Sequence, residues 1–441
     1  MVIGSIVAML CLLGTACQTS GAANPPASGG AASREPSTAP GGGSPGATVP
    51  APSPSPTPVA SAARVHITPA DGSRSARPDS GISVTVTHGR ITGVTVHTDG
   101  DRIEGAMDAR ATSWHSRWAL NTSTEYTVRA TAVDDAGRSV TVTSEFRTLT
   151  PSSTLRTIIF EGYHKEYGVG MPIILQFDEP VAAREAVERS LELRTSKPVV
   201  GAWYWNGDQT LMFRPRGYWP AHTQVHFTGH LDGVRAGPGL FGVHTLTQDF
   251  HIGRSLVAVA STRTHHMQVY LDKKLLGDWP ISTGKPGHET PNGTYLTITK
   301  SNPEEMIGED YDIFVPWSVR FTWSGSFLHA APWSVNQQGS ENVSHGCVNI
   351  APANAERYYK LSVPGDPVTI VGSPLAGAWD DGWTVWFLNW KEILEGSALH
   401  QAVRTGPSGS RFVNPGELPA FTPRVPLQGP HPGNALAVPA R

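Results

Sequence analysis

The chain has 441 residues, enough for two to four domains at about 100–200 residues each. Its charge is balanced, 34 Lys+Arg against 37 Asp+Glu, and no basic run is interleaved with aromatics. That composition gives no global field for nucleic acid or an anionic membrane, and no nucleic-acid partner is expected.

Residues 2–13 form an apolar run of signal-sequence length, too short for a span of about 20 residues. Gly14-Thr15-Ala16-Cys17 follows, with small residues ahead of a cysteine, as in a bacterial lipoprotein signal whose Cys17 becomes the lipidated first residue. The n-region has no Lys or Arg, and Gly14 stands where an aliphatic residue is usual. An ordinary cleaved signal with Cys17 incidental is the alternative, and either route exports the chain. Residues 18–63 are rich in Gly, Pro, Ser and Ala, including Pro52-Ser53-Pro54-Ser55-Pro56-Thr57-Pro58. Such a segment buries too little apolar surface to fold, and its prolines keep it extended, so it reads as a tether between membrane and wall.

From 64 to 150 the pattern changes to short alternating runs. Ile82, Val84 and Val86 alternate with polar residues, as do Tyr126, Val128 and Ala130, and Val140 and Val142 follow the turn residues Asp134-Asp135-Ala136-Gly137. Period-two alternation with regular turns predicts a small antiparallel β-sandwich with a spacing or docking role. Residues 151–253 repeat that grammar: a strand over 173–177, a short helix within 182–190, and Trp203-Tyr204-Trp205 running into the hairpin signal Asn206-Gly207. Trp203, Trp205, Tyr218 and Trp219 are read as core or interdomain packing, with glycan stacking as the alternative.

A further domain is expected over 254–373. Met267, Val269 and Leu271 alternate before a turn at Asp272-Lys273-Lys274. His265 and His266 would point to opposite faces of a strand, no HExxH or paired-cysteine pattern occurs, and neither metal nor cofactor is expected. Residues 301–323 have few strand signals and read as a lid. A helix is predicted over 352–361 and a last strand over 368–371. Trp379, Trp383, Trp386 and Trp390 recur at helical spacing and predict one helical face packed on this domain, in a subdomain over 374–403. The Pro/Gly-rich 404–441 is expected to be a disordered tail.

The chemistry concentrates in 329–349. Cys347 is the only cysteine beyond residue 17, and His329 precedes it by 18 positions. A thiol near pKa ~8.5 needs a base or a favourable field to attack as thiolate, and His329 is the candidate base, with His345 as the alternative. Gly346 permits close backbone approach and torsions closed to other residues, and the amides of Gly346 and Cys347 are candidate oxyanion donors. A buried, inert cysteine is the bland alternative. It fits poorly with an exported chain, in which cysteines are normally paired or absent.

His329 followed by Ser344-His345-Gly346-Cys347-Val348-Asn349 resembles the L,D-transpeptidase catalytic domain of the YkuD type, whose signature is a histidine followed by S/T-H-G-C-x-N. Thr290-Pro291-Asn292-Gly293-Thr294-Tyr295 and Trp323-Ser324-Gly325 resemble the same family, in particular its mycobacterial-type members with immunoglobulin-like modules. The resemblance covers roughly 155–399 and is sharpest over 281–371. It implies a mainly β fold: two immunoglobulin-like β-sandwich modules, a β-rich catalytic domain and a short helical C-terminal subdomain.

It also implies a function. Cys347 attacks a donor peptidoglycan stem peptide, a terminal D-amino acid leaves, and the thioester acyl group passes to the amine of an acceptor stem. The resemblance places Ser344, His345 and Gly346 in the nucleophile loop, and Tyr311, Trp333 and Asn349 among the substrate contacts. Ala330 stands where related enzymes commonly carry a serine whose carbonyl orients the histidine. Carbapenem-type inhibitors are implied as ligands of the thiol. Hydrolysis by the same thiol, ligation of a protein amine to peptidoglycan, and an inactive wall-binding module are the alternatives.

Overall fold

The computed structural model describes residues 59–100, 102–308 and 311–421. The signal, with Cys17, and the tether up to residue 58 lie outside the described residues. The tether's expected end at 63 is corrected: Ala63 is buried in the first core and the Ala62 amide donates to Asp134 at 2.9 Å, so the folded module begins a few residues earlier. Among the described residues no helix is long and apolar enough to cross a membrane. The buried apolar side chains of these residues gather into three clusters.

The first cluster lies between two antiparallel sheets, one carrying Ser83–Thr87 and the other pairing Arg90–Thr98, Glu125–Val133 and Ser139–Arg147 in that order. Alternation explains the sandwich: Tyr126, Val128, Ala130 and Ala132 are buried while Glu125 and Arg129 on the other face are exposed.

The second module is built on a ten-stranded sheet. Its hairpin Val199–Asn206 and Thr210–Pro215 turns where Asn206-Gly207 predicts, with Gly207 at φ +71. Trp203, Trp205 and Trp219 belong to its core, and a six-residue helix, Arg184–Arg189, falls inside the predicted window.

Two expectations for the C-terminal part are corrected here. Residues 404–421 are not a disordered tail: Ala402–Gly406 and Gly409–Val413 form a hairpin, and Ala402–Gly406 lies in the second module's sheet between Leu191–Thr195 and Val199–Asn206. Thr405 fixes it there, its hydroxyl 2.9 Å from the Leu193 carbonyl. The strand is short, and its partners lie about 200 residues upstream, so no local pattern announces it. The tryptophans do not share one helix. Trp386 lies in the 3-10 turn Val385–Phe387, and Trp390 opens the helix Trp390–Glu395, which Asn389 and Glu392 cap reciprocally. Gly382, at φ +127, breaks the run before them. The side chains pack chiefly on the second module, where the Trp386 indole donates to the Gly170 carbonyl at 2.6 Å and Arg214 stacks 4.4 Å above its ring.

The third core belongs to a nine-stranded sheet whose middle is the meander Leu256–Ser261, His266–Leu271 and Lys274–Ser282. Val348–Ile350 and Phe327–Ala330 continue it beyond Lys274–Ser282, and Pro367–Val371 pairs on the other side of Leu256–Ser261. Helix Pro352–Leu361 starts on its proline as predicted. The predicted lid contains a hairpin, Glu304–Ile307 with Asp312–Val315. Where this domain begins, Arg254 grips buried Asp366 with two hydrogen bonds of 2.8 and 2.7 Å.

Candidate active site

The site is assembled by two adjacent parallel strands. In the ladder between Phe327–Ala330 and Val348–Ile350, His329 pairs with Asn349, so their side chains share a face. Cys347 precedes Asn349 by two positions and therefore returns to that face. Two residues of rise and one strand spacing separate the Cα atoms of His329 and Cys347 by about 8 Å, within the combined reach of imidazole and thiol.

His329 is buried, 3% exposed, and its Nδ1 lies 3.0 Å from the Ala330 carbonyl. A carbonyl only accepts, so Nδ1 carries the proton and Nε2 keeps the lone pair. Burial pushes the imidazole down to about 4, with the Ala330 carbonyl working weakly the other way, so the ring is neutral at pH 7. Ala330 therefore supplies the orienting carbonyl that the resemblance ascribes to serine.

The Cys347 thiol points to the turn before the histidine strand, 3.9 Å from the Gly325 carbonyl. Burial pushes it up to about 11, against the Phe327 amide and the Arg320 charge, which favour the thiolate. Moving a proton from such a thiol to such an imidazole costs on the order of 10 kcal/mol before the attraction of the ions is counted. Both groups thus rest neutral in this arrangement.

The loop around the thiol is clamped from several sides. Ser344 donates to the Cys347 carbonyl at 2.6 Å and accepts from the Gly346 amide at 3.2 Å. The Gly346 amide is thereby engaged inside the loop. Gly346 has φ +118, a torsion closed to other residues. Thr290 donates to the Gly346 carbonyl at 2.8 Å. Asn342 ties the approach to the loop, its Oδ1 accepting from the Thr283 amide and hydroxyl and from His265 while its amide donates to the Thr262 carbonyl.

At the mouth, exposed His345 lies 2.7 Å from Lys285 Nζ, and its ring is 5.0 Å from His288 and 5.2 Å from Tyr311 of the lid. His345 is thus at the rim, whereas His329 is inside. The Trp333 ring, 55% exposed, stands 6.0 Å from that of His329. Asn349 donates to Ser334 at 3.0 Å, and its Oδ1 is buried without a hydrogen-bond partner. The sequence reading missed Thr290, Asn342 and Lys285 as site residues; only Thr290 carried a signal, as the first residue of the Thr-Pro-Asn-Gly motif. His265 and His266 have separate partners, Asn342 and Asp278, and among the described residues no cluster of three His, Cys, Asp or Glu could hold a metal ion.

A model of the L,D-transpeptidase catalytic domain matches residues 255–370, and a bacterial Ig domain model matches 73–235. L,D-transpeptidase 5 of Mycobacterium tuberculosis is 33% identical over 354 residues, 77% of this chain and 78% of that protein. The chain belongs to the L,D-transpeptidase family. L,D-transpeptidase 2 of the same species is 31% identical over 74% of the chain and 83% of its own length. A solved LD transpeptidase in complex with imipenem covers 50% of the chain at 33% identity, with a TM-score of 0.42. Within the L,D-transpeptidase domain the matched span contains the whole His329 to Asn349 stretch.

Proposed function

We propose that this L,D-transpeptidase cross-links peptidoglycan through a Cys347 thioester. The observation that carries the proposal is the His329–Cys347 arrangement on adjacent strands, with the imidazole held in the tautomer whose Nε2 is free of a proton. The Cys347 sulfur attacks the stem carbonyl that precedes the terminal D-residue, and its proton passes to His329 Nε2 as the S–C bond forms. The resting protonation states favour this concerted transfer over a pre-existing ion pair. The Cys347 amide stabilises the oxyanion; the intermediate collapses, the C–N bond breaks, and His329 protonates the departing amine. The acceptor stem's amine then attacks the thioester carbonyl and gives its proton to His329 Nε2; as the new C–N bond forms the S–C bond breaks, and His329 returns the proton to the departing sulfur, regenerating the thiol.

Tyr311, Trp333, His345 and Asn349 frame the stem, and carbapenems acylate the same sulfur because their strained carbonyl presents the same electrophile. The enzyme works outside the cytoplasmic membrane, anchored by lipid at Cys17. The test is intact mass after incubation with a carbapenem, and product analysis after incubation with donor and acceptor stems. An adduct and a cross-linked product that both disappear in Cys347→Ala are expected. Cross-linking retained by Cys347→Ala refutes the mechanism.

A further inference from the structure

We propose that Thr290 is a positioning residue that aims the oxyanion donor. The inference rests on the thiol acyl-transfer reading above and extends it to a residue outside the nucleophile loop. Thr290 is 1% exposed. Its Oγ1 accepts from the Gly284 amide at 3.0 Å and lies 2.8 Å from the Gly346 carbonyl. An amide only donates and a carbonyl only accepts, so the single hydroxyl proton is committed to Gly346.

That bond fixes the peptide plane joining Gly346 to Cys347. In a trans peptide the N–H points opposite to the C=O. With the carbonyl drawn toward a buried hydroxyl, the Cys347 amide is turned away from the interior, toward the face from which a substrate carbonyl approaches the sulfur. The clamp is needed because Gly346, at φ +118, has no side chain to restrict the plane. Ser344 holds the loop on either side of this plane, at the Gly346 amide and the Cys347 carbonyl, but does not touch the Gly346 carbonyl. The strip that carries Gly284 also runs beside the loop: the Ser344 amide donates to Thr283 and the Lys285 amide to Ser344. Thr290 thus ties the peptide to a strip already in register with it.

Two reactions at the same sulfur separate positioning from general structure. Acylation by a carbapenem forms an S–C bond at the lactam carbonyl, builds an oxyanion and breaks the C–N bond, the proton ending on nitrogen. Alkylation by iodoacetamide forms an S–C bond and expels iodide, with no oxyanion. In Thr290→Val the acylation rate constant of the purified chain should fall about 10- to 100-fold, less than the roughly 100- to 1000-fold that outright loss of one oxyanion donor costs, because the donor is misaimed and not removed. Alkylation at pH 9 should stay near that of the parent. Thr290→Ser keeps the hydroxyl and should restore acylation. If Thr290→Val does not fold, Thr290→Ala, which leaves more room beside the Gly346 carbonyl, takes its place. Equal loss of both rates, no loss of either, or a Thr290→Ser variant as slow as Thr290→Val would overturn the proposal. Parent protein that is alkylated at Cys347 but never acylated overturns the acyl-transfer reading itself, and does so without any substitution.

Discussion

Iodoacetamide measures how firmly the thiol proton of Cys347 is held before substrate arrives. Burial raises this thiol from its ordinary 9.0 to about 11, so at pH 7 about a hundredfold less thiolate is present than for a free cysteine. A more basic thiolate is a better nucleophile and returns about six- to tenfold of that loss. Net alkylation at pH 7 should therefore run about 10- to 15-fold slower than that of a free cysteine, and slower still where the half-buried sulfur is hard to reach. The rate should climb about tenfold per pH unit to beyond pH 9, with no plateau at lower pH. His329→Ala should leave this profile nearly unchanged, because the imidazole is neutral throughout the range. The assay is mass-resolved alkylation of Cys347 against pH, with unfolded protein as the free-thiol reference. A plateau below pH 7, at a rate above that reference, would mean a thiolate–imidazolium pair already exists and would refute the reasoning.

The depressed His329 couples stability to acid. Its stabilising effect is fully present above 6.5 and is lost as pH falls toward about 4, to a total of about 3 kcal/mol; urea titrations at pH 7 and pH 4.5 should show the loss, and His329→Gln should shrink it. Trp386→Ala removes a fully buried indole, its bond to Gly170 and the ring under Arg214, and should cost about 3–5 kcal/mol, read as a lowered Tm. Gly346→Ala meets no close atom, the nearest being the His288 carbonyl at 3.7 Å, but cannot hold φ +118 without strain, so acylation should fall more than tenfold while Tm moves little. A chain ending at Gln401 loses the strand between Leu191–Thr195 and Val199–Asn206, and should show exposed apolar surface by dye binding where a chain ending at Phe421 does not.

Features written in local pattern were legible in the sequence. Alternation at Tyr126 to Ala132 and at Met267 to Leu271 marks strands whose one face is buried, and the Asn206-Gly207 turn needs only its own torsions. The thiol and its histidine were legible because their motif fixes both residue types and spacing. What remained hidden depends on partners far along the chain. Ala402–Gly406 is a strand only because Leu191–Thr195 and Val199–Asn206 leave a gap for it. The tryptophan spacing mimicked a helix because Trp383, Trp386 and Trp390 face the second module's core, and Trp379 packs on its Tyr204, from a turn, a loop and a helix start. The engagement of the Gly346 amide by Ser344 follows from a loop conformation that residue types alone do not specify.

The hairpin at 402–413 gives the chain an order of assembly. The sheet of the second module is interrupted after Ile252 and completed only when Ala402 arrives, so the catalytic domain is topologically an insert within that module. During synthesis, which proceeds from the N-terminus, the first sandwich has all its strands early, whereas the second must wait for roughly the last tenth of the chain to emerge. Closing a loop of about 200 residues adds little to the equilibrium cost but slows the search for the final contact. A chain lacking the strands at 402–413 would carry His329 and Cys347 on a scaffold still open at one sheet, so the second module closes only after the catalytic insert has been made.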